Sequence, residues 1–177
     1  GDVLIDWVLT AYETGMKIPH PALIVLGPFM HTDHQESFLA RIEKLESVSA
    51  MTFSSHIEHL MEKAVGVVAM GGYNTFCEIL SFDKPSIIVP RTKPRLEQYI
   101  RASRAQELGL LSMLNYDNEP DPKTMATALC QLTQQNPPSE IILPGLLDGL
   151  QNINRLVSQI IAKSRRQELS TIDQLIS

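Results

Sequence analysis

Cysteine is nearly absent: Cys77 and Cys130 are the two in 177 residues. Their separation fits no metal-ligand spacing, and with no secretory signal visible they point to a reducing, cytoplasmic compartment. Long apolar runs are absent too. None approaches the ~20 residues that a membrane-spanning helix requires. A basic excess is missing: the formal charge is −5, which argues against general nucleic-acid binding. There is no repeat and no low-complexity tract. The first residue is Gly1 rather than Met, so the chain is expected to be a fragment or a processed product.

What remains is an ordinary globular composition, 44% hydrophobic and 20% charged, long enough for one domain with a real core. The charge is uneven. From position 83 to 104 there are six basic residues (Lys84, Arg91, Lys93, Arg95, Arg101 and Arg104) against Asp83 and Glu97. That stretch carries +4 and the rest of the chain −9. A solvated helix face would account for it, and so would a site for an anionic ligand.

Apolar runs and amphipathic runs alternate. "DVLIDWVLTAYETG" reads as a helix with Val3, Trp7, Val8 and Ala11 on one face and Gly15 as its stop. "PALIVLGPF" reads as a buried strand. "DHQESFLARIEKLE" is helical, with Phe38, Ile42 and Leu45 inward and Asp33 as N-cap. "VSAMTF" is a strand. "SSHIEHLMEKA" is a helix capped by Ser54 or Ser55, with Ile57, Leu60, Met61 and Ala64 toward the core.

The pattern continues with "VGVVAM" as a strand, "NTFCEILSF" as a helix and "PSIIVP" as a strand. "LEQYIRASRAQELG" is a helix with Leu96, Ile100 and Leu108 inward and Gly109 at its end. "LLSML" is the last strand. "DPKTMATALCQLTQQ" is a helix with Asp121 as cap and Pro122 in its first turn. A further helix is expected within a C-terminal extension over 150–177, burying Leu150, Ile153, Leu156, Val157 and Ile160. Such alternation predicts a parallel sheet with helices on both faces, a Rossmann-like doubly wound α/β fold. Ligands of such sheets bind beyond the carboxyl ends of the strands. That rule selects residues 27–31, 53–55, 70–74 and 90–95.

In "MGGYNTFCEILSFDKPSIIVP", a strand, a Gly-Gly turn and a helix follow one another. Free backbone N–H groups at a helix start suit a phosphate, although a plain tight turn needs the same residues. Asn74 or Thr75 is placed to cap the helix or to bond a phosphate oxygen. Glu78, one turn on, either complements the helix dipole or accepts two adjacent hydroxyls of a ribose. The turn is neither the dinucleotide G-x-G-x-x-G nor the G-x-x-x-x-G-K-[ST] loop.

The combination "GGYNTFCEILSFDKPSIIVPRTKPRLEQ" resembles the carboxyl-terminal, donor-binding half of family 28 glycosyltransferases, whose fold is the two-domain GT-B type. The motif elements are Gly71-Gly72, Asn74-Thr75, Glu78, Lys84-Pro85, Pro90 and Glu97-Gln98, and the detailed match runs over about residues 65–110. The resemblance implies that Glu78 holds the ribose hydroxyls and that Gln98 contacts the donor sugar. It places the turn from Gly72 to Thr75 against the diphosphate and nucleoside. It sets Phe53 and the residues after it beside the base. Arg91 and Arg95 lie where they can hold a phosphate. Here the chain departs from the family, because Arg95 and Glu97 replace the acidic-His pair often found before the Gln.

The resemblance also implies what is missing. The glycine-rich loop after the first strand of this half would lie before Gly1. So would the amino-terminal, acceptor-binding domain with the usual catalytic base. Residues 1–177 are thus expected to be a nucleotide-sugar-binding domain, inactive alone, with no catalytic residue, metal or cofactor of its own. Its expected partners are a nucleoside diphosphate sugar, with a UDP-sugar favoured, and the missing domain. Peripheral membrane association would come through the parent protein. Hexosyl transfer is the implied reaction. An epimerase or hydrolase of the same fold, or a non-catalytic binding domain, is the alternative.

Other candidates weigh less. His31 with His34, and His56 with His59, sit three apart beside Asp33 and Glu58, yet such pairs are more often solvated than metal-binding. Cys77 reads as a small buried hydrophobe.

Overall fold

The computed structural model describes residues 1–52, 57–116 and 120–141. The cap expected at Ser54 or Ser55 and the helix expected within the extension over 150–177 lie outside the described residues. Six helices and five strands alternate along the described chain: α1 (Asp2–Glu13), β1 (Ala22–Leu26), α2 (Thr32–Ile42), β2 (Val48–Thr52), α3 (Ile57–Lys63), β3 (Val67–Ala69), α4 (Tyr73–Ser81), β4 (Ser86–Ile88), α5 (Glu97–Glu107), β5 (Ser112–Met113) and α6 (Pro122–Gln131). Two short 3-10 turns follow α6, at Leu132–Gln134 and Pro138–Glu140.

Every strand pair is parallel. β1 pairs with β2, with Ile24 opposite Ala50. β4 lies between β3 and β5, with Ile87 opposite Val68 and Ile88 opposite Met113. The ladder runs one residue further, through Val89 N–H to Ala69 O (2.8 Å) and Leu114 N–H to Ile88 O (2.9 Å). Among the described residues β1 and β3 each have one strand neighbour, so the strands form a pair and a triplet. The central place of β4 explains its composition. Ile87 and Ile88 point to opposite faces, and both are fully buried, as layers on both sides of a parallel sheet require.

One apolar cluster joins Trp7, Leu9 and Ala11 of α1, Ile24 and Leu26 of β1, Phe38 and Ile42 of α2, Ile87 of β4 and Met125, Ala126 and Leu129 of α6. The lone tryptophan ties two of these helices together. Its indole Nε1 donates to the Asp121 carbonyl at 2.8 Å, and its ring meets the edge of Tyr116 at 6.2 Å between centroids.

Several helix signals act as expected. Asp121 caps α6, its carboxylate accepting from the N–H groups of Lys123 and Thr124, with Pro122 in the first turn. The Thr124 hydroxyl also donates to that carboxylate, and this bond, followed by the Lys123 amide, holds the Asp121 carboxyl below its ordinary range. Gly15 and Gly109 follow the ends of α1 and α5 in left-handed conformations, φ 74° and 76°.

Other assignments need correction. His31, not Asp33, is the N-cap of α2, because the helix begins at Thr32 and leaves Asp33 inside its first turn. Val3 is half-exposed while Leu9, outside its face, is fully buried, because α1 packs against both α2 and α6. On α5, Leu96 and Ile100 are exposed at 55% and 63%. The buried face is made by Ala102 and Ala105, and at about 100° per residue Leu96 lies opposite Ala105. Cys77 is half-buried rather than buried.

Candidate functional site

The turn after β3 uses both glycines for separate reasons. Gly71 has φ 75°, a left-handed backbone that other residues adopt only with strain. A Cβ there would also lie 2.7 Å from Ile88 Cγ2, inside contact distance of the fully buried centre of β4. Gly72 is the N-cap of α4, with an extended backbone (φ −53°, ψ 151°) and open space where a Cβ would go.

The Gly72 carbonyl accepts the first helical bond, from Phe76 N–H at 2.8 Å. No side chain caps the helix. Asn74 and Thr75 therefore do not cap it, because Gly72 already occupies the capping position. The amides of Tyr73, Asn74 and Thr75 precede the first helical bond and have no acceptor among the described residues. They form a set of donors at the positive end of a helix, at the carboxyl end of β3. Asn74 is exposed and Thr75 half-buried. Glu78 stands four residues after Asn74 on the same helix face, half-buried, with no hydrogen bond or ion pair from its carboxylate to a described residue. The far end of α4 is fixed. Asp83, in a left-handed conformation (φ 55°), accepts from both the N–H and the hydroxyl of Ser139 at 2.7 Å.

The loop after β4 faces the same rim. Pro90 is buried, and Arg91, Lys93 and Arg95 beyond it are exposed, with a cis bond between Lys93 and Pro94. The guanidinium groups of Arg91 and Arg95 make no ion pair with a described residue. Gln98 sits half-buried in the first turn of α5, and its Oε1 accepts from Arg91 N–H at 3.1 Å. With the oxygen bonded to the Arg91 amide, the side-chain N–H donors have no acceptor among the described residues.

One further residue joins loop and turn, and the sequence reading counted it only as charge. Arg101 stands three residues after Gln98 and on the same side of α5. It donates to the Gly71 carbonyl at 3.0 Å, and its guanidinium lies over the rings of Tyr73 (5.3 Å) and Phe76 (5.8 Å). The three-residue spacing from Gln98 was the available signal.

Among the candidates named from sequence, the structure gathers Gly71, Gly72, Asn74, Thr75 and Glu78 on one turn and helix. It joins Arg91 to Gln98, and Arg101 links that group to the turn. Phe53 lies outside the described residues. His31 and His34 do not converge with acidic residues on a metal position. His34 Nδ1 instead meets Asp2 Oδ2 at 2.6 Å, and this bond lowers the Asp2 carboxyl from its usual value. Among the described residues no group of three His, Cys, Asp or Glu is arranged to hold a metal ion. No helix among them is long and apolar enough to cross a membrane. A shallow groove of about 440 Å³ beside β5, lined by Gln106, Met113, Gln131, Gln134 and Gln135, shares no residue with the turn.

Parallel strands alternating with helices, and a rim of helix starts beyond the strand ends, define a Rossmann-like α/β domain of the doubly wound kind. The chain belongs to glycosyltransferase family 28: residues 16–140 match the description "Glycosyltransferase family 28 C-terminal domain". In that family this domain is the part of a glycosyltransferase that binds the sugar donor. A solved structure described as the glycotransferase of kitacinnamycin has a similar fold, with a TM-score of 0.54 and 21% identity over 72% of this chain. This chain spans 31% of that protein. Among curated proteins no sequence matches.

Proposed function

We propose that the chain is the donor half of a glycosyltransferase that moves a hexose from a nucleoside diphosphate sugar, with uridine diphosphate as the favoured carrier. The observation that carries this reading is the start of α4: amides behind a Gly72 cap, and a Glu78 carboxylate one turn further on the same helix, none of them bonded to a described residue. A diphosphate meets the amides, and the ribose hydroxyls donate to Glu78. Arg91 and Arg95 carry positive charge with no ion pair to a described residue, and Gln98, its oxygen held by the Arg91 amide, keeps its amide donors for the sugar. Charge building on the leaving diphosphate is then met by a helix dipole and two cations already in place. The acceptor and the base that activates it belong to the amino-terminal half, so residues 1–177 alone bind donor without turning it over. Positioning, rather than proton transfer, is this half's share of the rate.

Glu78→Ala in the full-length protein is expected to weaken uridine diphosphate binding by about 1–3 kcal/mol, the range for a charged hydrogen-bonding partner. Titration calorimetry with uridine diphosphate and its 2′-deoxy analogue makes the test specific. The parent protein should prefer the ribonucleotide, and the variant should lose that preference. Equal discrimination by both proteins would remove Glu78 from the ribose role.

A further inference from the structure

The family match says nothing of Arg101, and the sequence pattern gives it no role beyond charge. Its surroundings are specific. The guanidinium is half-buried, donates to the carbonyl of Gly71, and covers the faces of Tyr73 and Phe76. Tyr73 is the first residue of α4 and Gly71 is the left-handed residue of the turn, so Arg101 grips both sides of the Gly72 cap. A planar, permanently charged fork can bond in its plane and stack through its face at once, which an ammonium cannot do. The contact also spans elements. Arg101 belongs to α5, whose first turn carries Gln98 and, through it, the Arg91 amide.

We propose that Arg101 is a positioning residue for the donor site. It holds the Gly71 carbonyl turned back toward α5, which aims the amides of Tyr73, Asn74 and Thr75 outward. It also locks α5 against α4, so that the Gln98 amide and the Glu78 carboxylate keep one spacing. The proposal rests on the donor-site reading for its ligand, but the clamp itself exists without ligand.

Two physical consequences separate this role from simple structural support. Losing the clamp disturbs the diphosphate donors and leaves Glu78 on an intact helix, so affinity for a diphosphate falls while affinity for the bare nucleoside does not. Arg101 lies at the rim, away from the Trp7 cluster, so global stability is little affected. Lysine keeps the charge but not the combined bond and stack, so it restores only part of the function if geometry matters.

The experiment uses the full-length protein with Arg101→Met and Arg101→Lys, and uridine diphosphate and uridine as probes. Arg101→Met should lose about tenfold in uridine diphosphate affinity, the size of one charged hydrogen bond, with uridine affinity unchanged. Arg101→Lys should fall between Met and the parent. Hydrogen exchange in the absence of ligand should be faster in the Met variant at the Phe76 amide, which bonds the Gly72 carbonyl, with β4 amides unchanged. Parent-like uridine diphosphate affinity in Arg101→Met would overturn the proposal, as would an equal loss for uridine or full rescue by lysine. If the parent protein binds neither probe, the choice of uridine as the carrier falls instead. Exchange then judges the clamp alone: unchanged protection at the Phe76 amide overturns it, and faster exchange supports it.

Discussion

Trp7→Ala is expected to lower the free energy of unfolding by about 3–5 kcal/mol, the usual range for truncating a buried large aromatic. Trp7 is 2% exposed and sits where α1 crosses the start of α6. Its indole is also the donor to the Asp121 carbonyl, and Asp121 is the residue whose side chain caps α6. Truncation therefore opens a cavity, removes the edge contact with Tyr116 and loosens the anchor of a helix that buries Met125, Ala126 and Leu129. Trp7→Phe keeps most of the apolar volume and loses the bond, so it should cost distinctly less. Denaturant unfolding of both variants measures the difference. A loss below about 1 kcal/mol for Trp7→Ala would mean that α1 and α6 do not share a core.

Gly71→Ala should cost about 2–5 kcal/mol from two sources. A left-handed backbone penalises a Cβ by about 1–2 kcal/mol, and forcing atoms into a filled core costs about 1–3 kcal/mol. Both apply here, because φ is 75° and the new Cβ would meet Ile88 Cγ2 at 2.7 Å. Ile88 is fully buried in the central strand of its triplet and has little room to yield. Gly72→Ala is the internal control, since its φ is negative and its Cβ would enter open space. The two variants differ by one position. A turn that only needed small residues would respond equally to both, whereas the geometry expects a large effect at 71 and a small one at 72. Thermal unfolding decides this, and the Gly71 variant should also lose diphosphate binding, since the amide donors follow the turn.

Local chemistry made much of this legible in the sequence. Asp121-Pro122 announces a helix start, Gly15 and Gly109 announce helix ends, and the Gly-Gly turn announces the start of α4. Each signal acts within about seven residues, so one-dimensional text carries it. What failed was tertiary. The face that α5 buries is chosen by Ala102 and Ala105 against the sheet, and Leu96 and Ile100 misled because hydrophobicity alone does not say which side has a partner. Of the two uses open to Asn74 or Thr75, capping the helix or bonding a phosphate oxygen, the first is closed because Gly72 takes the cap. The division of the strands into a pair and a triplet depends on neighbours far apart in sequence. The role of Arg101 depends on the same kind of distant contact, since its partners Gly71, Tyr73 and Phe76 lie 25 to 30 positions away and its spacing from Gln98 is the one local sign.

The central claim is that the rim formed by α4, the loop after β4 and α5 receives a nucleoside diphosphate. Titration calorimetry of the full-length protein against uridine, guanosine, adenosine and thymidine diphosphates tests it most directly. One of the four, uridine diphosphate first, should bind saturably with one site per chain, and binding should weaken when Glu78 or Arg91 is replaced by alanine. No saturable binding of any of the four, or binding indifferent to both substitutions, would contradict it.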